Sequence, residues 1–98
     1  MENCVKNEKK YCRIQVTAED GSVVTVSTYS FQVFDKDGNS VQGSATASIS
    51  GNGTAAVEIY GLVDTTAAGF TAGSWYYVRF AYVIGAETYI KDDWFTVT

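Results

Sequence analysis

Ninety-eight residues supply one domain core and leave no room for a second. Aromatic residues reach 14%, Leu occurs only at position 62, Met only at position 1, and Pro is absent. This argues against both disorder and a helical bundle, and for β-structure built from Val, Ile, Thr, Tyr and Phe. Residues 1–13 carry four basic against two acidic side chains (+2), and the rest three against nine (−6); an acidic body excludes the basic face that nucleic acid requires.

Residues 1–10 are polar and without period, which predicts a flexible N-terminal arm ahead of a single domain over residues 11–98. From Tyr11 the chain alternates, with Cys12, Ile14 and Val16 on one face and Arg13, Gln15 and Thr17 on the other, the pattern of a half-buried strand. Cys12 reads as a small buried apolar residue, although a Cys4–Cys12 disulfide is open to a segment that folds back. After a turn at Glu19-Asp20-Gly21-Ser22, residues 23–34 are β-prone but change phase: Val24 and Val26 are even, whereas Tyr29, Phe31 and Val33 are odd. A β-bulge near Ser27-Thr28, or two separate strands, absorbs the extra residue.

Asp35-Lys36-Asp37-Gly38-Asn39 reads as a turn. A calcium loop of the EF-hand kind would need its Gly at position six and a Glu at twelve, where this run has Gly at four and Thr46 at twelve. Val41, Gly43, Ala45, Ala47 and Ile49 then alternate with polar residues, as do Ala55, Val57, Ile59 and Val63 beyond Gly51-Asn52-Gly53. A three-residue loop ending on Gly53 keeps both apolar faces together, predicting a hairpin that sets Ile49 opposite Ala55 and Ala47 opposite Val57. Residues 64–74 are a connection, and residues 75–85 are apolar on both faces except for Arg79, as in a central strand. Gly85-Ala86 suits a two-residue type II′ turn, which sets Arg79 opposite Asp92, Tyr76 opposite Phe95 and Tyr77 opposite Trp94. Because Lys91 and Asp93 then share a face with Phe80 and Val78, a bulge near Asp92-Asp93 is expected. About seven short strands without a helical period indicate an all-β, antiparallel two-sheet sandwich, with an open barrel as the other architecture.

The run FTAGSWYYVRF at residues 70–80 resembles the lead-in and sixth strand of fibronectin type III and immunoglobulin-like domains. The resemblance implies that Tyr76 is the corner tyrosine, its hydroxyl bonded to nearby backbone. The family's usual Pro is Ala72 here, and its inter-sheet disulfide has no counterpart. Residues 11–98 as a whole are similar to small immunoglobulin-like proteins encoded among the head–tail and tail genes of tailed bacteriophages and prophages. That likeness rests on FQVFDKDG at 31–38, GSWYYVRF at 73–80, GAETY at 85–89 and FTV at 95–97. It implies a virion neck or tail component, made in the host cytoplasm; bacterial surface modules share the pattern, which gives a cell-surface location as the alternative.

No catalytic residue, cofactor or metal site is predicted. The chain has no His to serve a nucleophile, and Asp92 and Asp93, adjacent on a strand, point to opposite faces rather than flanking a cleft. Trp75, Tyr77, Tyr89 and Trp94 are the candidate interaction residues. They read first as inter-sheet core and second as an outward platform for a protein or, less favoured, a glycan. Tyr76, Gly38, Gly53 and Gly85 are assigned structural roles. Expected partners are other virion or surface proteins, or a second copy of the chain, rather than nucleic acid or membrane.

Overall fold

The strands form where side chains alternate between water and a shared interior. The computed structural model describes residues 3–98. Its strands are β1 (Asn3–Cys4), β2 (Lys9–Val16), β3 (Thr28–Asp35), β4 (Ser40–Thr46), β5 (Ser48–Ser50), β6 (Val57–Asp64), β7 (Trp75–Ile84) and β8 (Glu87–Val97), with no helix among the described residues. They make a five-stranded sheet in the order β1-β8-β7-β3-β4 and a three-stranded sheet in the order β2-β6-β5. All pairings are antiparallel except β1 with β8. The all-β, two-sheet expectation therefore holds.

Cys12, Ile14 and Val16 of β2 and Val57, Ile59 and Val63 of β6 are buried, as their alternation predicts. They face Phe31, Val33, Val78, Phe80, Phe95 and Val97 from the larger sheet in one apolar cluster. A side chain as fully buried as Phe80 contributes on the order of 2–3 kcal/mol by leaving water. The sheets approach closely at Gly61, where an added Cβ would fall 2.5 Å from the Phe31 ring. A glycine on β6 is what lets that ring lie flat against the opposite strand.

Four expectations are corrected. The described part of the expected N-terminal arm is ordered: Asn3 and Cys4 pair with Thr96 and Val97, and β2 begins at Lys9 rather than Tyr11. Met1 and Glu2, also part of that expectation, lie outside the described residues. The reason for the order is Thr65, a buried polar residue. Its hydroxyl accepts from the Glu8 N–H (3.0 Å) and lies within donating distance of the carbonyls of Val5 (2.8 Å) and Glu8 (2.9 Å). Lys6 Nζ donates to the Thr65 carbonyl at 2.7 Å.

Second, the stretch from Val41 to Ile49 is two strands in different sheets. Gly43 and Ala45 are small and exposed and Val41 packs only half-buried against the core, whereas Ala47 is buried at the crossover and β5 joins β6. Third, Ile49 lies opposite Ile59 rather than Ala55, a shift of four residues that preserves the faces. Residues 51–56 form a longer loop because they supply partners to residues 24–26. The Val24 N–H donates to the Thr54 carbonyl (2.9 Å), and the Asn52 amide both accepts from the Val26 N–H (2.8 Å) and donates to its carbonyl (3.0 Å). This also resolves the phase change, since β3 starts at Thr28 and the even-phase valines pair elsewhere.

Fourth, β7 and β8 keep an unbroken register from Ile84 opposite Glu87 to Trp75 opposite Thr96, with no bulge at Asp92-Asp93. The expected clash is avoided because Asp93 accepts a hydrogen bond from the Cys12 thiol (3.0 Å) and Lys91 lies in the exposed part of the hairpin.

Candidate functional site

The larger sheet has an uncovered outer face, and the aromatic residues of β3, β7 and β8 meet there. Tyr76, Val78 and Phe80 point into the core, so Trp75, Tyr77 and Arg79 point away from it. The register places Tyr77 between Phe34 on β3 and Trp94 on β8. Ring centroids are 5.2 Å apart for Phe34–Tyr77, nearly parallel, and 4.7 Å for Tyr77–Trp94. Trp94 is 47% exposed and Trp75 52%. The outward reading therefore replaces the core reading for Trp75, Tyr77 and Trp94: both faces of β7 are apolar, but only one is covered by the second sheet.

Arg79 borders this stripe. Its guanidinium donates to both carboxylate oxygens of Asp92, from Nε at 2.8 Å and from Nη2 at 3.0 Å, and lies 5.5 Å and 5.4 Å from the ring centroids of Phe34 and Tyr77. The fork geometry and the ring faces together fix a long side chain flat on the sheet. Asp92 raises the Arg79 pKa, and because the two opposite charges meet at 2.8 Å they offset one another on this face. The Asp35–Asn39 turn stands at the rim, where a Cβ on Gly38 would lie 3.8 Å from the Tyr77 hydroxyl. Asp35 spends its carboxylate on the turn itself, accepting from the N–H groups of Asp37 and Asn39, and these bonds lower its pKa.

Tyr89 is separate from the stripe. It stacks on Tyr82 (centroids 5.6 Å apart) and bonds Glu87 (2.8 Å). With Val16, Val23, Val24 and Ile84 the two rings line a cleft of about 320 Å³ between the β7–β8 hairpin and residues 16–25. A second hollow of about 470 Å³ is lined by Ser27, Thr28, Ser30, Thr46 and Thr88. No carboxylate, amine or thiol lines either hollow, so neither assembles an acid–base pair or a metal cage.

The residues with assigned structural roles are where backbone demands them. Tyr76, 3% exposed, accepts a hydrogen bond from the Thr71 N–H (2.7 Å) and donates to the Gly69 carbonyl (3.1 Å). Gly38, Gly53 and Gly85 have φ of +85°, +82° and +63°. At the β7–β8 turn, Gly85 is followed by an Ala86 without positive φ, the pattern of type II′. Cys4 and Cys12 are both buried, free thiols, so the disulfide alternative is set aside. Phe34 and Arg79 were not among the predicted site residues; strand alternation alone puts Arg79 on the face of Tyr77, whereas Phe34 is brought there only by the β3–β7 pairing, which no local pattern reveals.

No family model, no curated protein and no solved structure matches this chain.

Proposed function

We propose that this protein is a non-catalytic, immunoglobulin-like interaction module, a virion neck or tail component, which docks another protein on the outer face of its larger sheet. The observation that carries the reading is the outer-face stripe in which exposed Trp75 and Trp94 flank half-buried Tyr77 and Phe34, bordered by the Arg79–Asp92 pair. Trp, Tyr and Arg are the residues over-represented where protein interfaces concentrate their energy. The mutual neutralisation of Arg79 and Asp92 fits an apolar partner face better than a charged one.

The immunoglobulin-like part of the proposal is supported by strand order. Taking β2, β5 and β6 as strands B, D and E, and β3, β4, β7 and β8 as C, C′, F and G, gives two sheets in the arrangement of that fold. The Tyr76 hydroxyl bonds, at the start of the strand equivalent to F, support it as well. The virion assignment is supported by the sequence resemblance alone.

The test mixes the purified protein with head, neck and tail proteins encoded beside it and follows co-sedimentation and Trp fluorescence. One partner should bind, and Tyr77→Ala and Trp94→Ala should each weaken it by roughly thirtyfold or more, with both variants still folded by far-UV circular dichroism at the assay temperature although each loses cross-strand ring contacts. A response to glycans with none to proteins would replace this reading with a sugar-binding one. Binding unaffected by both substitutions would refute the role of the stripe.

A further inference from the structure

β8 is an edge strand along most of its length. Among the described residues it is covered only where Asn3 and Cys4 pair with Thr96 and Val97. The hydrogen bonds at its end show which residues face outward. The Val97 N–H donates to Ser74 and its carbonyl accepts from Gly73, both on the β7 side, whereas the Thr98 N–H donates to Cys4 and its carbonyl accepts from Lys6. The register is unbroken, so the alternation continues back along the strand. Thr88, Ile90 and Asp92 therefore turn their N–H and C=O groups toward the open edge. No proline or bulge blunts it. Ile90 is 63% exposed and Tyr89 41%.

We infer that this edge pairs with the same edge of a second copy, antiparallel about a two-fold axis through Tyr89. The charges exclude the registers centred further along the strand, and centring on Thr88 would set Ile90 and Lys91 against the Gly85-Ala86 turn rather than against strand. Two-fold pairing puts each residue opposite another whose number is fixed by the residue on the axis. Centring on Ile90 sets Glu87 against Asp93, centring on Lys91 sets Lys91 against itself, and centring on Asp92 sets Asp92 against itself. Centring on Tyr89 sets Glu87 of each copy opposite Lys91 of the other, with no like charges opposed.

The same register makes Thr88 and Ile90 hydrogen-bonded pairs, giving about four new ladder bonds. It places the two Tyr89 rings together at the axis, each already stacked on its own Tyr82. The contact also stays clear of β1. It is a separate surface from the aromatic stripe and does not depend on what that stripe binds. An edge contact of this length is small, which implies a dissociation constant of roughly micromolar to sub-millimolar size.

Sedimentation equilibrium over a concentration series tests the pairing. The wild type should show a monomer–dimer equilibrium. Lys91→Glu should weaken it by roughly tenfold or more, and the double swap Glu87→Lys, Lys91→Glu should return it to within about threefold of wild type, because each opposed pair is then reversed as a unit. Tyr89→Cys should form a covalent dimer on mild oxidation, since the axis pair lies within disulfide reach, whereas Ile90→Cys should not. Monomers at every concentration together with no Tyr89→Cys cross-link overturn the inference. So does a dimer lost in Tyr77→Ala but kept in Lys91→Glu, which would assign self-association to the aromatic stripe instead. Partner binding at the stripe should be unchanged in Lys91→Glu, so failure of one surface is read separately from failure of the other.

Discussion

Tyr76→Phe removes one oxygen atom from the junction between the 64–74 connection and β7. The ring is kept, and with it the contacts to Phe70 and Phe95, whose centroids lie 5.0 Å and 5.8 Å away. What is lost is the pair of bonds from the Thr71 N–H and to the Gly69 carbonyl. Each neutral bond contributes about 1 kcal/mol net, and leaving partly buried backbone groups without a partner adds to that, so the expected loss is about 2–3 kcal/mol. For a chain of this length that corresponds to a fall in melting temperature of roughly 10–20 °C. Urea denaturation followed by Trp fluorescence measures it, with an unchanged m-value showing that the denatured state is the same. A loss below about 0.5 kcal/mol would mean that water replaces both bonds and that the hydroxyl does not hold the corner.

Two further perturbations probe the N-terminal clasp and the buried thiol. Thr65→Val keeps the side-chain shape but leaves the Glu8 N–H without its acceptor; it should cost about 2 kcal/mol and speed hydrogen exchange at the Lys6 and Thr98 amides, which tie the segment from Cys4 to Lys6 to the residue that follows β8. Unchanged exchange at those two amides would show that β1 is held by other contacts. The Cys12 pKa is pushed up to about 12, chiefly by burial and further by the Asp93 carboxylate. Iodoacetamide at pH 8 should therefore label it at least about a hundredfold more slowly in the native state than in urea. Because the folded value is raised, Cys12 leaves stability unaffected below the unfolded value near 8.5. Stability then falls by ~1.4 kcal/mol per pH unit until the folded value is passed. The difference between wild type and Cys12→Ala isolates that slope, and parallel pH profiles of the two proteins would contradict it.

What the sequence determined by itself was local. Alternation assigned the buried faces of β2 and β6, and Gly85-Ala86 set the register of β7 on β8, because side-chain period and turn geometry act over a few residues. Strand order was a tertiary matter. Gly43 and Ala45 alternate as well as large residues do but bury too little to hold that part of the strand in the core, so the crossover at Ala47 left no local signal. The loop at 51–56 took its length from residues 24–26, whose backbone groups needed partners some thirty positions away in the chain. The aromatic stripe shows the same division. Two apolar faces on β7 told of a central strand, but which of them met the second sheet was decided only when β2 and β6 packed against Val78 and Phe80, leaving Tyr77 and Trp94 on the outer face.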